Sequence, residues 1–140
     1  MSENMFIKKY TNIIPDEVCN DMITGFDSQI EIDKIVMDMD YLRNAEISIY
    51  ENGPTQELFQ QIKKYTLEVY NRYKSDVFTN GVGNMLAFCN RIECPKMIRY
   101  VPNKDKPQWF HNHSDCWNNP SATRQLSLVF YLNDVEEGGD

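Results

Sequence analysis

The sequence predicts an α+β fold in which helices come first and a sheet follows. Two stretches with apolar residues at helical spacing occupy the first half of the chain, and β-prone runs begin at residue 96. The last run, "RQLSLVFYLNDV", is the most strand-like, and its two alternating faces both look covered. A strand buried on both sides is typical of a two-sheet sandwich or a barrel, here preceded by supporting helices.

The first helix is predicted over residues 15 to 29. Pro15 suits the first helical position, and Asp16 and Glu17 follow in the first turn, where the helix dipole favours acids. Apolar residues then recur at helical spacing. We expect them to form the face that packs on the rest of the protein: Val18, Cys19, Met22, Ile23 and Phe26.

A second helix follows the turn signal "NGP", with Thr55 as its candidate cap. Its apolar residues are again at helical spacing: Leu58, Ile62, Tyr65, Val69 and Tyr73. Between the helices, "AEISIY" alternates in the manner of a short strand. After them we expect a loop at "NGVGN" (80–84), a strand at "KMIRYV" and a polar loop at "PNKDKPQ" (102–108).

The length of 140 residues predicts one domain, with 1–95 as a mainly helical support region and 96–140 as the start of the sheet core. Its 14 Lys and Arg against 21 Asp and Glu give a net charge of −7, which makes nucleic acid an unlikely partner. The four cysteines include no CxxC pair and the N-terminus has no signal-peptide core, so we expect reduced thiols in the cytoplasm. No stretch approaches the roughly 20 apolar residues that cross a bilayer.

The segment "WFHNHSDCW" (109–117) contains both histidines of the chain. His113 and Asp115 are two positions apart, so on a strand both side chains point the same way and can converge on one ion. An imidazole and a carboxylate are two of the three ligands of the facial triad that holds Fe(II). On spacing alone, a polar triplet that hydrogen-bonds locally is the commoner interpretation.

Spacing does not decide between the two histidines, because His111 has the same parity as His113. His111, His113 and Asp115 together would span about 13 Å on a regular strand, too far to surround one ion without a kink. A zinc site would also recruit Cys116, but this residue has the opposite parity and structural zinc sites favour more thiolates. Zinc is therefore the weaker hypothesis.

The order of motifs along the chain resembles the prolyl 4-hydroxylase branch of the Fe(II)- and 2-oxoglutarate-dependent oxygenases. The resemblance runs from "FIKKYTNIIPDEVCNDMI" through "MIRYVPN" and "HSD" to "RQLSLVFYLNDVEEGGD". It implies a double-stranded β-helix, or jelly-roll, preceded by supporting helices. It also implies a dioxygenase that converts 2-oxoglutarate and O2 into succinate and CO2 while a C–H bond is hydroxylated, with ascorbate as a candidate further cofactor.

Carried over residue by residue, the resemblance implies His113 and Asp115 as iron ligands and His111 as a supporting neighbour. Tyr131 matches the tyrosine of the "YLN" strand and Tyr100 the tyrosine at the end of the preceding strand, so both are candidates for 2-oxoglutarate contact. An aromatic core role is the alternative for each tyrosine. Gly138 and Gly139 match a turn.

Two departures from the family pattern bear on activity. Phe110 stands three residues before His113, and the tyrosine and glycine that usually precede the His-x-Asp motif are not matched. The chain also has no distal histidine and no basic residue on later strands to pair with the far carboxylate of 2-oxoglutarate. The jelly-roll is therefore expected to be incomplete at its C-terminus, and this chain alone is expected to show little or no turnover.

Two further hypotheses belong to other functional classes. A non-catalytic jelly-roll binding module, or remnant, would keep the scaffold without the chemistry. A zinc-stabilised interaction module would bind zinc stoichiometrically and ignore 2-oxoglutarate. For the oxygenase, the expected partners are O2 and a peptide or small-molecule substrate, with no membrane.

Overall fold

The computed structural model describes residues 6–33, 45–79, 89, 91–100, 114–116 and 123–134. Its elements are α1 (Asp16–Asp33), β1 (Ala45–Ser48), α2 (Gln56–Thr79) and β2 (Lys96–Arg99). Both predicted helices and the two short strands are confirmed. The loops predicted at 80–84 and 102–108, both histidines and Gly138 and Gly139 lie outside the described residues. Neither α1 nor α2 is long and apolar enough to cross a membrane.

Helix α1 begins one residue later than the sequence predicted. The carbonyl of Pro15 accepts the N–H groups of Val18 and Cys19 at 2.9 and 3.0 Å, which makes Pro15 the cap and Asp16 the first helical residue. The helix continues to Asp33, beyond the predicted end at residue 29. Its buried face is formed by Cys19, Met22 and Phe26, and the predicted Val18 and Ile23 flank it half-buried.

The turn before α2 needs a glycine. Gly53 has φ 97°, a conformation that L side chains rarely adopt, and its carbonyl accepts the Gln56 N–H at 3.1 Å. Thr55 occupies the cap position, because its carbonyl accepts the N–H of Phe59 at 2.9 Å. Its hydroxyl, however, accepts the Tyr50 N–H at 2.8 Å. Thr55 therefore ties the loop after β1 to the start of α2.

Helix α2 buries a continuous stripe along its length. The predicted Tyr65, Val69 and Tyr73 are buried, whereas Leu58 and Ile62 are half-buried at its edge. Phe59 and Val77 are also buried and extend the stripe in both directions. The apolar face thus includes more than one residue in most turns of α2, as is usual for a helix that packs on a core.

Strands β1 and β2 pair antiparallel, with Ala45 opposite Arg99 and Ile47 opposite Met97. Strand β1 comes from the mainly helical region, so that region also contributes to the sheet. Ile47 is buried on one face, and on the other the buried Glu46 carboxylate forms an ion pair with Lys96 at 2.8 Å. Strand β1 is therefore covered on both sides.

One apolar cluster joins the four elements. Phe26 of α1, Ile47 and Ile49 at β1 and Phe59 of α2 are its buried members. Leu58, Ile62 and Met97 pack against it. At its margin, the Arg99 guanidinium forms an ion pair with Asp27 at 2.7 Å and lies 6.0 Å from the centre of the Phe26 ring. Arg99 therefore ties β2 to α1.

The N-terminal segment before α1 is attached to the second half of α2. The Tyr10 hydroxyl donates to Oδ2 of Asp76 at 2.6 Å, and the Tyr73 hydroxyl donates to the carbonyl of Phe6 at 3.1 Å. Burial, followed by the hydrogen bond to the Asp76 carboxylate, raises the pKa of Tyr10 to about 12. Two tyrosine hydroxyls thus hold residues 6 to 10 against the helix.

The segment 123–134 shows the predicted two-residue alternation. Its even positions are half-buried: Leu126, Leu128, Phe130 and Leu132. On the opposite face Val129 and Tyr131 are 73% and 74% exposed, so within the described structure the expectation that both faces are covered is wrong. The sheet among the described residues consists of the two strands β1 and β2. The jelly-roll that is incomplete at its C-terminus therefore stays a prediction.

Candidate metal site around Asp115

Asp115 is held from two sides by the segment 123–134. The Ser127 hydroxyl donates a hydrogen bond to Oδ2 of the Asp115 carboxylate. Nη1 of Arg124 donates to the backbone carbonyl of the same residue at 2.9 Å. Both the side chain and the main chain of Asp115 are therefore fixed by two residues three positions apart.

Arg124 is itself held by a carboxylate. Its Nε and Nη2 lie 2.8 and 2.7 Å from one oxygen, Oε2, of Glu93. The hydrogen bond from Arg124 lowers the pKa of Glu93, and the same bond raises the pKa of Arg124. Glu93 precedes β2 in the chain, so Arg124 connects three separate segments: the residues before β2, the residues around Asp115 and its own strand-like segment.

The thiol of Cys116 also contacts Arg124. Its Sγ donates to the Arg124 carbonyl at 3.0 Å, while the Cys116 N–H donates to the Ser114 hydroxyl at 3.3 Å. Cys116 is thus attached through its side chain to the main chain of Arg124. The zinc hypothesis, in which Cys116 would be a ligand, stays a hypothesis.

The two candidate cosubstrate tyrosines lie on different segments. Tyr131 is on the same face of 123–134 as Ser127, and an extended chain separates residues four positions apart by about 13 Å. Tyr100 directly follows β2 and is 47% exposed. The hydrogen bond from Ser127 thus places Asp115 beside the face of the segment 123–134 that carries Tyr131.

The other predicted iron ligand, His113, and its predicted neighbour His111 lie outside the described residues. Within the described part of the chain, no three His, Cys, Asp or Glu residues form a group that could hold a metal. Of the two predicted iron ligands, Asp115 lies within the described residues. Its carboxylate is half-buried and hydrogen-bonded, as metal-bound carboxylates commonly are, and with imidazole it forms a donor set suited to Fe(II).

Sequence reasoning missed three residues of this site. Ser127 could have been found, because it is a polar residue between Leu126 and Leu128, on the face that carries Tyr131. Arg124 opens the same strand-like run, but nothing in its spacing indicates that it contacts Asp115. Glu93 carries no sequence signal, since its role depends on where Arg124 lies in three dimensions.

Comparison of the chain with protein-family models, with curated proteins and with solved structures finds no match.

Proposed function

We propose that this chain carries the metal-binding part of an Fe(II)- and 2-oxoglutarate-dependent oxygenase of the prolyl 4-hydroxylase type. The observation that supports the proposal most directly is the contact between the two motif segments. "HSD" and "RQLSLVFYLN" are separate in the sequence, yet Asp115 of the first is bound by Ser127 and Arg124 of the second.

In this proposal, His113 and Asp115 bind the iron through an imidazole nitrogen and a carboxylate oxygen. His111 supports them as a neighbour. Tyr131 orients 2-oxoglutarate through its hydroxyl, and Tyr100 is a second contact for the same cosubstrate. When bound, iron and 2-oxoglutarate supply the oxidising chemistry that hydroxylates a C–H bond with O2 and releases succinate and CO2. Ascorbate is the candidate reductant.

The charge of the chain bears on the substrate. A net charge of −7 favours a substrate with a neutral or basic surface over a polyanion. We therefore propose a peptide or small molecule, rather than nucleic acid, as the substrate. All four cysteines are free thiols, which supports a reducing, cytoplasmic location.

Metal binding by the 140-residue chain tests the proposal. Mn(II) substitutes for Fe(II) without oxidising in air, and its electron paramagnetic resonance signal reports the free ion. We expect His113→Ala and Asp115→Ala each to weaken Mn(II) binding at least about 10-fold, because each removes one ligand. Asp134→Ala removes an exposed carboxylate of the same type and is the matched control.

A second titration adds 2-oxoglutarate to the Mn(II)-loaded chain and follows its binding by calorimetry. We expect Tyr131→Phe to weaken 2-oxoglutarate binding and to leave the Mn(II) affinity unchanged. Mn(II) binding that is absent in the wild type, or that survives both ligand substitutions, overturns the proposal in favour of a binding module. Stoichiometric zinc binding with no response to 2-oxoglutarate would favour the zinc module.

A further inference from the structure

We propose that Ser127 and Arg124 are positioning residues that fix the direction in which the Asp115 carboxylate meets the metal ion. The inference rests on the proposed function and extends it to residues that the sequence motifs leave without a role. Neither side chain is a metal ligand in this proposal. Each acts through Asp115, one through its side chain and the other through its main chain.

Ser127 controls the rotation of the carboxylate. The torsion that turns an aspartate carboxylate has a broad, two-fold preference, so the group does not select one direction by itself. The Ser127 hydroxyl donates to Oδ2, and because the two oxygens share one plane this contact also sets the direction of Oδ1. A carboxylate held in this way is oriented before a metal ion arrives.

Arg124 controls the backbone from which that carboxylate extends. Its Nη1 donates to the Asp115 carbonyl, and its own carbonyl accepts the Cys116 thiol. Residues 115 and 116 are therefore attached to Arg124 at two points. A shift of the main chain would move the carboxylate with it, so this attachment and the Ser127 contact act on the same atoms.

Glu93 offsets the positive charge of Arg124, which would otherwise lie beside the proposed metal site. An unpaired guanidinium beside Asp115 would repel a divalent ion. In Arg124, however, Nε and Nη2, which do not contact Asp115, both contact Oε2 of Glu93. The pair leaves Arg124 as a hydrogen-bond donor to Asp115 while most of its charge is compensated. Glu93→Gln should therefore weaken Mn(II) binding without removing any contact of Asp115 itself.

Mn(II) affinity of the full chain measures this role. Loss of a group that orients a metal ligand typically costs about 10- to 100-fold in affinity, and we expect Ser127→Ala to weaken Mn(II) binding by a factor in this range. Ser127→Thr retains the hydroxyl and should restore near-wild-type affinity. Ser28→Ala is the matched control, because that exposed hydroxyl donates only to the Thr24 carbonyl of α1 at 2.9 Å.

Arg124→Lys keeps the charge but loses the planar group that contacts Asp115 and Glu93 together, so it should also weaken Mn(II) binding. Melting temperatures of the metal-free variants separate positioning from folding. A positioning role predicts that Ser127→Ala has the same melting temperature as the wild type and still binds Mn(II) poorly. A merely structural role would lower the melting temperature of Ser127→Ala.

The outcomes distinguish this inference from the function on which it rests. If Asp115→Ala abolishes Mn(II) binding while Ser127→Ala and Arg124→Lys bind as the wild type does, the inference fails and the proposed function stands. If the wild type binds no Mn(II), or Asp115→Ala binds normally, the proposed function fails and this inference fails with it. Weakening by Ser127→Ala that Ser127→Thr does not rescue also contradicts the orienting hydroxyl.

Discussion

The phenol of Tyr10 links the start of the chain to a helix more than sixty residues away. Its hydroxyl donates to the Asp76 carboxylate at 2.6 Å, and the contact is partly buried. Hydrogen bonds to ionised groups are stronger than neutral ones, because the acceptor carries a full charge. The bond requires the phenol to keep its proton, so its contribution to stability depends on pH.

Tyr10 predicts a pH dependence with a defined sign. Its pKa is raised to about 12 in the folded protein from an ordinary value near 10, so the folded state favours the protonated phenol. The stabilisation is complete below pH 10 and is lost as pH rises from about 10 to about 12. Tyr10→Phe should lower the free energy of unfolding at pH 8 by about 1–2 kcal/mol and show a smaller deficit at pH 12.

Urea unfolding of both proteins across this pH range measures the difference. Tyr50→Phe is the control, because it makes the same change at an exposed tyrosine of the loop after β1. A deficit for Tyr10→Phe that stays constant from pH 8 to 12 would contradict the role of the phenol proton.

At the scale of the elements, the helices and the strand pair are joined by the cluster of Phe26, Ile47, Ile49 and Phe59. Its members come from α1, from β1 with the residue that follows it, and from α2, so no single element buries its own apolar face. Burial of large side chains is the main stabilising contribution of such a cluster, and the surrounding packing cannot close fully over a missing ring.

Phe26→Ala should lower the free energy of unfolding by about 3–5 kcal/mol, since it removes a buried aromatic ring and leaves a cavity. It also removes the ring beneath the Arg99 guanidinium. Equilibrium urea unfolding at neutral pH gives the value. Leu67→Ala, at an exposed apolar position of α2, should change stability by far less, and equal losses for the two variants would rule out this cluster as the centre of the core.

The sequence predicted α1, α2, β1 and β2, because apolar spacing, β-propensity and turn residues such as "NGP" act within one segment. What the sequence could not supply are contacts between segments. The Thr55 hydroxyl was expected to serve its own helix and instead binds the Tyr50 N–H. Likewise Glu93 and Ser127 acquire roles only because Arg124 and Asp115 lie beside them.

At the scale of the whole molecule, the described contacts join distant parts of one chain. Tyr73 holds Phe6, Arg99 holds Asp27, and Arg124 holds Glu93 and Asp115. Segments connected in this way tend to unfold together in a domain of this size. A ligand that binds at Asp115 should therefore stabilise the entire fold.

Mn(II) should raise the free energy of unfolding of the wild type by about 2.7 kcal/mol when its free concentration is 100 times Kd, because it binds the folded state alone. Asp115→Ala should gain little at the same concentration, and excess EDTA should return the wild type to its metal-free stability. Thermal unfolding with and without Mn(II) gives the comparison. Equal stabilisation of both proteins would show that the metal binds elsewhere.

The two faces of β1 also determine which alignments of the strands are possible. Glu46 lies on the face that reaches Lys96, and Ile47 lies on the face that enters the apolar cluster. Slippage of the pair by one residue would exchange these faces and place a carboxylate among Phe26, Ile49 and Phe59, at a cost of several kcal/mol. The burial of Ile47 and the ion pair of Glu46 therefore fix the register of this four-pair ladder.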